Sequence, residues 1–194
     1  MVPTLADSAA GYRNMWSMCA IDPGHASTVK NIVENILAHK AEYQGVQAGV
    51  GGNVPWFFMA CLHSRESDCD FSTYLGNGDP LSQPTTDVPA GRGPFRTFIA
   101  GAIDSMTMEG FTKITSWPIE QMLYSAEAFN GWGYTYRGKN SPYVWAGTNQ
   151  AQIGKYVSDG SYNGGVWDTQ MGVAAILKGL QAADADVAAA LGAA

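Results

Sequence analysis

The feature that most constrains this chain is the run VPWFFMACLHSRES at residues 54–67. From Trp56 to Leu62 it is apolar on nearly every face of a helix, and a helix without a polar face must be central and buried. Val54-Pro55 opens it, with proline suited to a first turn. The run then empties into a polar, glycine-punctuated loop, DCDFSTYLGNGDPL, and an isolated glutamate, Glu66, stands at the junction. A carboxyl held where a buried helix surfaces keeps its proton more readily and is aimed outward, so Glu66 is the candidate general acid.

At 194 residues the chain is long enough for one domain with a substantial core. The expectation is a single domain over 1–194, with residues 1–26 as an N-terminal extension and 183–194 as a short helix or a frayed tail. Hydrophobic residues make up 46% and aromatic residues 11%, which is globular, while only 14% are charged. A surface so poor in charge is rich in neutral hydrogen-bonding groups, which suit ligands such as sugars. The formal charge of −6, with no run of Lys or Arg, excludes a nucleic-acid binder. No basic start followed by an apolar run marks a signal peptide, and no apolar span of membrane length occurs, so a soluble monomer without membrane insertion is expected. Cys19, Cys61 and Cys69 form no CxxC pair and read as reduced structural thiols.

Along the chain, the spacing predicts a short helix near 10–19 and an amphipathic helix from Ser27 through Tyr43 on Val29, Ile32, Val33, Ile36 and Leu37. GVQAGVGGN, residues 45–53, reads as a glycine-rich break that ends this helix. After Glu66, Asn77-Gly78 is a strong turn signal. With Phe71, Thr73 and Leu75 before it and Leu81, Thr85 and Val88 after it, a small hairpin or three-stranded flap is predicted. Helices follow from Pro94 to Gly110, from Trp117-Pro118 to Asn130-Gly131, and over 166–182. Between the last two lies a loop carrying Trp132, Tyr134, Tyr136, Tyr143 and Trp145, either a buried plug or a sugar-stacking platform.

Cleaving a glycosidic bond needs one protonated carboxyl for the leaving oxygen, and most families add a second carboxylate. Asp79 is the candidate second carboxylate, across the predicted hairpin, with Asp68, Asp70 and Asp87 as rivals. Thr85 and Thr86 are candidates to position water near Glu66, or to bond their own backbone. His63, one turn before Glu66, either tunes it or is a core residue. Cys61, His63 and Cys69 match no zinc spacing, so no metal and no cofactor is expected. Asp68 and Asp70 beside Cys69 disfavour a thiolate nucleophile.

Several segments, taken in order, resemble one family: an apolar helix ending in Glu66-Ser67, the later AFNGWG at 128–133, and the Tyr-rich stretch after it. This order resembles the lysozyme-like superfamily, which includes phage endolysins and lytic transglycosylases. VPWFFMACLHSRESDCDFSTYLGNGDPL, VPAGR, EAFNGWGYTYRGKNSPYVWAGTN and GKYVSDG look like a group of phage and bacterial proteins with lysozyme-like catalytic domains, over roughly residues 50–175. The resemblance implies an α+β, mainly α fold, a helical lobe with a small β-hairpin flap flanking an active-site cleft. It implies bacterial peptidoglycan as partner and cleavage between N-acetylmuramic acid and N-acetylglucosamine. Carried over by position, Glu66 is the acid, Ser67 supports its carboxyl, and Asn130, Gly131 and Tyr134 line the cleft, with Tyr136 and Tyr143 as further substrate contacts. The chain lacks the Gly-x-Met-Gln segment usual after a transglycosylase acid, so a glycan-strand hydrolase is expected, with a lytic transglycosylase using the same Glu66 or a catalytically silent wall-binding protein as the alternatives. A phage-encoded protein of this kind would be made in the host cytoplasm and act on the wall through a holin pore or from the virion.

Overall fold

The computed structural model describes residues 2–158 and 160–192. In chain order its helices are α1 Leu5–Ser17, α2 Ala26–Ala38, α3 Lys40–Gly49, α4 Trp56–Ser67, α5 Phe98–Met108, α6 Ile119–Asn130, the single turn α7 Pro142–Trp145, α8 Val173–Ala183 and α9 Ala185–Leu191. Two short strands, β1 Lys155–Ser158 and β2 Ser161–Asn163, pair antiparallel. The fold is therefore mainly α with a small antiparallel sheet. The chain divides into two compact units, Met1–Val33 with Pro118–Ala194, and Glu34–Trp117.

In the first unit, α1 starts earlier than the expected residue 10 because Thr4 and Asp7 form a reciprocal capping box. α1 packs on α6 through buried Tyr12 and Trp16, and Arg13 reaches Glu120 at 2.7 Å. α8 is buried from Val173 to Leu177. A Cβ on its Gly179 would stand 2.8 Å from methyls of both Val29 and Val33, so the glycine permits close approach of α8 to the first half of α2. Tyr156 and Tyr162 face each other across β1 and β2 with ring centroids 5.4 Å apart, a cross-strand pair worth about 0.5–1.5 kcal/mol beyond its buried area. The tail expected to be a short helix or frayed forms α9, capped by Asp184, as far as Leu191; residues 193 and 194 lie outside the described residues.

In the second unit α4 is the centre, and every residue from Trp56 to Arg65 is buried. Its proline start leaves no side-chain cap of its own, and Gln47 of α3 supplies one, its Oε1 accepting the Trp56 amide at 3.0 Å. The expected glycine break at 45–53 is corrected: α3 runs on to Gly49. Gly45 and Gly49 share one face, where added Cβ atoms would meet Ile99 at 3.0 Å and Ile103 at 2.3 Å. These glycines let α3 and α5 pack closely, which outweighs their weak helix propensity of about 1 kcal/mol each. The long helix expected from 27 is instead two helices broken at His39.

The strands also lie elsewhere than predicted, at 155–163 and not at 71–88. Asn77-Gly78 does turn, with both amides donating to the Tyr74 carbonyl, but its flanks form a single bridge, Thr73 to Pro80. Pro80 has no N–H to extend a ladder.

Candidate active site

Glu66 is the first residue of α4 after Trp56 to be only partly buried. Beyond it the backbone reverses through two successive left-handed residues, Asp68 (φ 51°) and Cys69 (φ 61°). Neither is glycine, and such a conformation costs about 1–2 kcal/mol per residue. The amides of Asp68 and Cys69 return to the Ser64 and His63 carbonyls and close the helix end. The following loop then folds back over this end. Gly78 (φ 77°) approaches so closely that a Cβ there would stand 3.1 Å from the Glu66 carbonyl oxygen, and the Thr73 hydroxyl, which donates to the Asp70 carbonyl, is hydrogen-bonded to the Ser67 hydroxyl at 2.8 Å. The structure thus brings Glu66, Ser67 and the 73–79 turn together.

Asp79 organises this turn. Its Oδ2 accepts from the amides of Thr86 at 2.7 Å and Asp87 at 3.0 Å, and from Asn77 Nδ2 at 3.3 Å. Those backbone donors hold its carboxyl below the ordinary aspartate range, so it is ionised at neutral pH. Thr85 is buried, and its hydroxyl serves its own loop, donating to the Pro89 carbonyl at 2.5 Å and accepting from the Arg92 amide at 2.9 Å. Arg92 in turn makes a two-pronged ion pair with Asp104 of α5, which also accepts the Tyr74 hydroxyl at 2.9 Å. Asp70 is spent on the amide and hydroxyl of Ser72.

His63 is a core residue. It is wholly buried, with Nε2 donating to the Asp70 carbonyl at 3.1 Å and Nδ1 accepting the Tyr43 hydroxyl at 2.9 Å. Burial, only partly opposed by the Asp70 carbonyl, pushes its pKa down to about 4. With Tyr43, Phe71 and Phe98 it forms an aromatic cluster that seats the loop against α4. Cys69 is buried too, and burial pushes its thiol up, away from the thiolate a nucleophile needs. Among the described residues no group of three or more His, Cys, Asp or Glu is placed to hold a metal ion, and no helix is long and apolar enough to cross a membrane.

The remaining sequence-predicted residues belong to the first unit. Asn130 is the exposed last residue of α6, and Gly131 (φ 81°) ends the helix in a conformation suited to glycine. Tyr134 and Tyr143 are buried, and the Tyr134 hydroxyl accepts the Tyr156 amide at 2.9 Å. With Trp145 they plug a core, while Tyr136 is 60% exposed. Sequence reasoning passed over Glu127, one residue before AFNGWG. It is buried, accepting from Thr135 Oγ1 at 2.6 Å and the Tyr12 hydroxyl at 3.1 Å, and burial raises its pKa against those bonds. It ties α1 and α6 to the 135–137 turn. Only its place on the inner face of α6 could have signalled this.

Comparison with protein-family models, with curated proteins and with solved structures finds no match to this chain.

Proposed function

We propose that this chain is a lysozyme-like peptidoglycan glycosidase in which Glu66 is the general acid. The observation that carries the reading is the place of Glu66: the first residue to surface from a helix buried along its length, with a hydrogen-bonded loop folded over the same helix end. In this role Glu66 protonates the glycosidic oxygen as the bond between N-acetylmuramic acid and N-acetylglucosamine breaks. Asp79, held ionised by backbone amides, is the carboxylate suited to the positive charge that develops on the sugar ring. Ser67, anchored by Thr73, supports the Glu66 end of the helix. The acceptor is water in a hydrolase, or the sugar's own 6-hydroxyl in a transglycosylase. The buried, proton-retaining Cys69 favours this reading over a cysteine peptidase.

The test is lysis of purified cell walls by the parent chain and by Glu66→Gln, an isosteric change that removes the acid. A loss of about a hundred- to ten-thousand-fold is expected, with the circular dichroism spectrum unchanged. Undiminished lysis by Glu66→Gln would sink the proposal. The mass of the released fragments separates reducing ends from 1,6-anhydro ends.

A further inference from the structure

The first unit contains a pocket of about 540 Å³ that none of the residues discussed so far lines. That volume falls in the range of small-molecule sites. Its floor is Ala146–Asn149, and backbone bonds tie this segment to the stretch before α2: the Asp22 amide donates to the Gly147 carbonyl and the Asn149 amide to Ala20, both at 3.0 Å. Asn149 spends its side chain on the same join, accepting from the Ala20 amide and donating to the Met18 carbonyl. The floor is therefore built before any ligand arrives, which lowers the ordering cost of binding.

The walls are of another character. Trp167 lines the pocket with 55% of its surface exposed, a large apolar ring left in water. The side chains of Asp22 and His25 are 51% and 44% exposed; Asp22 Oδ1 accepts the Gly24 amide at 2.8 Å, and His25 Nδ1, itself enclosed and without a hydrogen-bond partner, lies 3.8 Å from it. Asp168 is neutralised by Lys155 at 3.2 Å and lies buried at the pocket wall, its side chain 5% exposed. The pocket thus offers carboxylate and amide oxygens and an aromatic face, while its nearby ammonium group is already paired. An anion would meet the Asp22 carboxylate in the pocket wall.

We propose that this pocket is a binding site for a neutral saccharide, one pyranose ring stacking on Trp167 while its hydroxyls hydrogen-bond to Asp22, His25 and Gln152. A sugar supplies what the lining lacks: several O–H donors beside a flat patch of C–H. The site goes beyond the reading of Glu66 and does not rest on it, since it would hold a glycan whether or not the chain cleaves one.

The test is calorimetric titration of the 194-residue chain carrying Glu66→Gln, so that turnover cannot consume the probe, with tri-N-acetylchitotriose, cellotriose and maltotriose. Saturable binding of at least one is expected, weakened about tenfold or more by Trp167→Ala and unchanged within about twofold by Met108→Ala, an exposed apolar side chain outside the pocket. Three results overturn the proposal: no saturation by any of the three up to about 10 mM, binding that Trp167→Ala leaves intact, or binding of tetramethylammonium in place of the sugars. Because the readout is binding, an inactive parent in the wall-lysis test leaves the outcome decisive.

Discussion

Between α4 and α5 the chain turns its polar side chains onto itself. Asp70, Asp79 and Thr85 each hold donors of their own loop, and Asp104 of α5 holds Arg92 and Tyr74 from it. Between α6 and α8 the chain is as rich in glycine and aromatics, yet Trp167 stays exposed around an open pocket with Asp22 and His25. The first region spends much of its hydrogen-bonding capacity on shape, with Glu66 partly exposed at its edge. The second keeps capacity in reserve, which is what a binding surface requires. Substitutions in the closed loop should therefore cost stability, and substitutions at the pocket should cost binding alone.

The largest expected effect is the response of the closed region to acid. His63 titrates near 6.5 in an unfolded chain and at about 4 when folded. The folded state thus binds fewer protons between these values, and stability falls as the pH drops from 6.5 to 4. The difference of 2.5 units corresponds to about 3 kcal/mol. Urea unfolding from pH 7 to pH 4 should show this slope in the parent and lose most of it in His63→Gln. The raised carboxyl of Glu127 acts in the opposite direction, since its folded form takes up a proton first, but it is common to both proteins and cancels in the difference. Equal slopes would mean that His63 is not sealed in the core and that the loop is not closed over it.

Next is the tie between loop and helix. Asp104→Ala leaves the hydroxyl of wholly buried Tyr74 without its acceptor and lets Arg92 return to water, a loss of about 2 kcal/mol. Urea unfolding measures it, and limited proteolysis should find new cleavage between residues 82 and 96. If Asp104→Ala is neutral, the loop is held by its aromatic contacts and not by its polar network.

How much of this was legible in the sequence follows from the kind of signal each element carries. The burial of α4, the surfacing of Glu66 and the stop at Gly131 were readable, because unbroken apolarity and a glycine after a periodic stretch each have a local cause. The course of α3 was not. Gly45 and Gly49 look like breakers until Ile99 and Ile103, more than fifty positions away, are packed against them. The strands were missed because three or four residues give no measurable period, although the Asp159-Gly160 pair between Tyr156 and Tyr162 is a turn signal of the same type as Asn77-Gly78; Asp159 itself lies outside the described residues. The left-handed pair Asp68-Cys69 has no sequence signature, since neither residue requires that conformation. Glu127 and His63 show the general difficulty: a titratable residue inside a helix reads the same whether it serves chemistry or the core, and only its partners decide.

The smallest expected effect is the sharpest test of the contrast, because it sets one residue from each region side by side. Thr85→Val keeps the shape of a buried side chain but strands the Arg92 amide and the Pro89 carbonyl, at a cost of about 1–2 kcal/mol. Trp167→Ala removes a far larger side chain from the pocket wall, yet its exposure predicts a change within about 0.5 kcal/mol. By volume alone the order should be the reverse. If thermal unfolding finds Trp167→Ala the more damaging, Trp167 is packing its own unit and the pocket is a by-product of the fold. If Thr85→Val is the more damaging, the two regions are divided as their hydrogen bonds indicate, one built to hold a carboxyl in place and the other left open to a ligand.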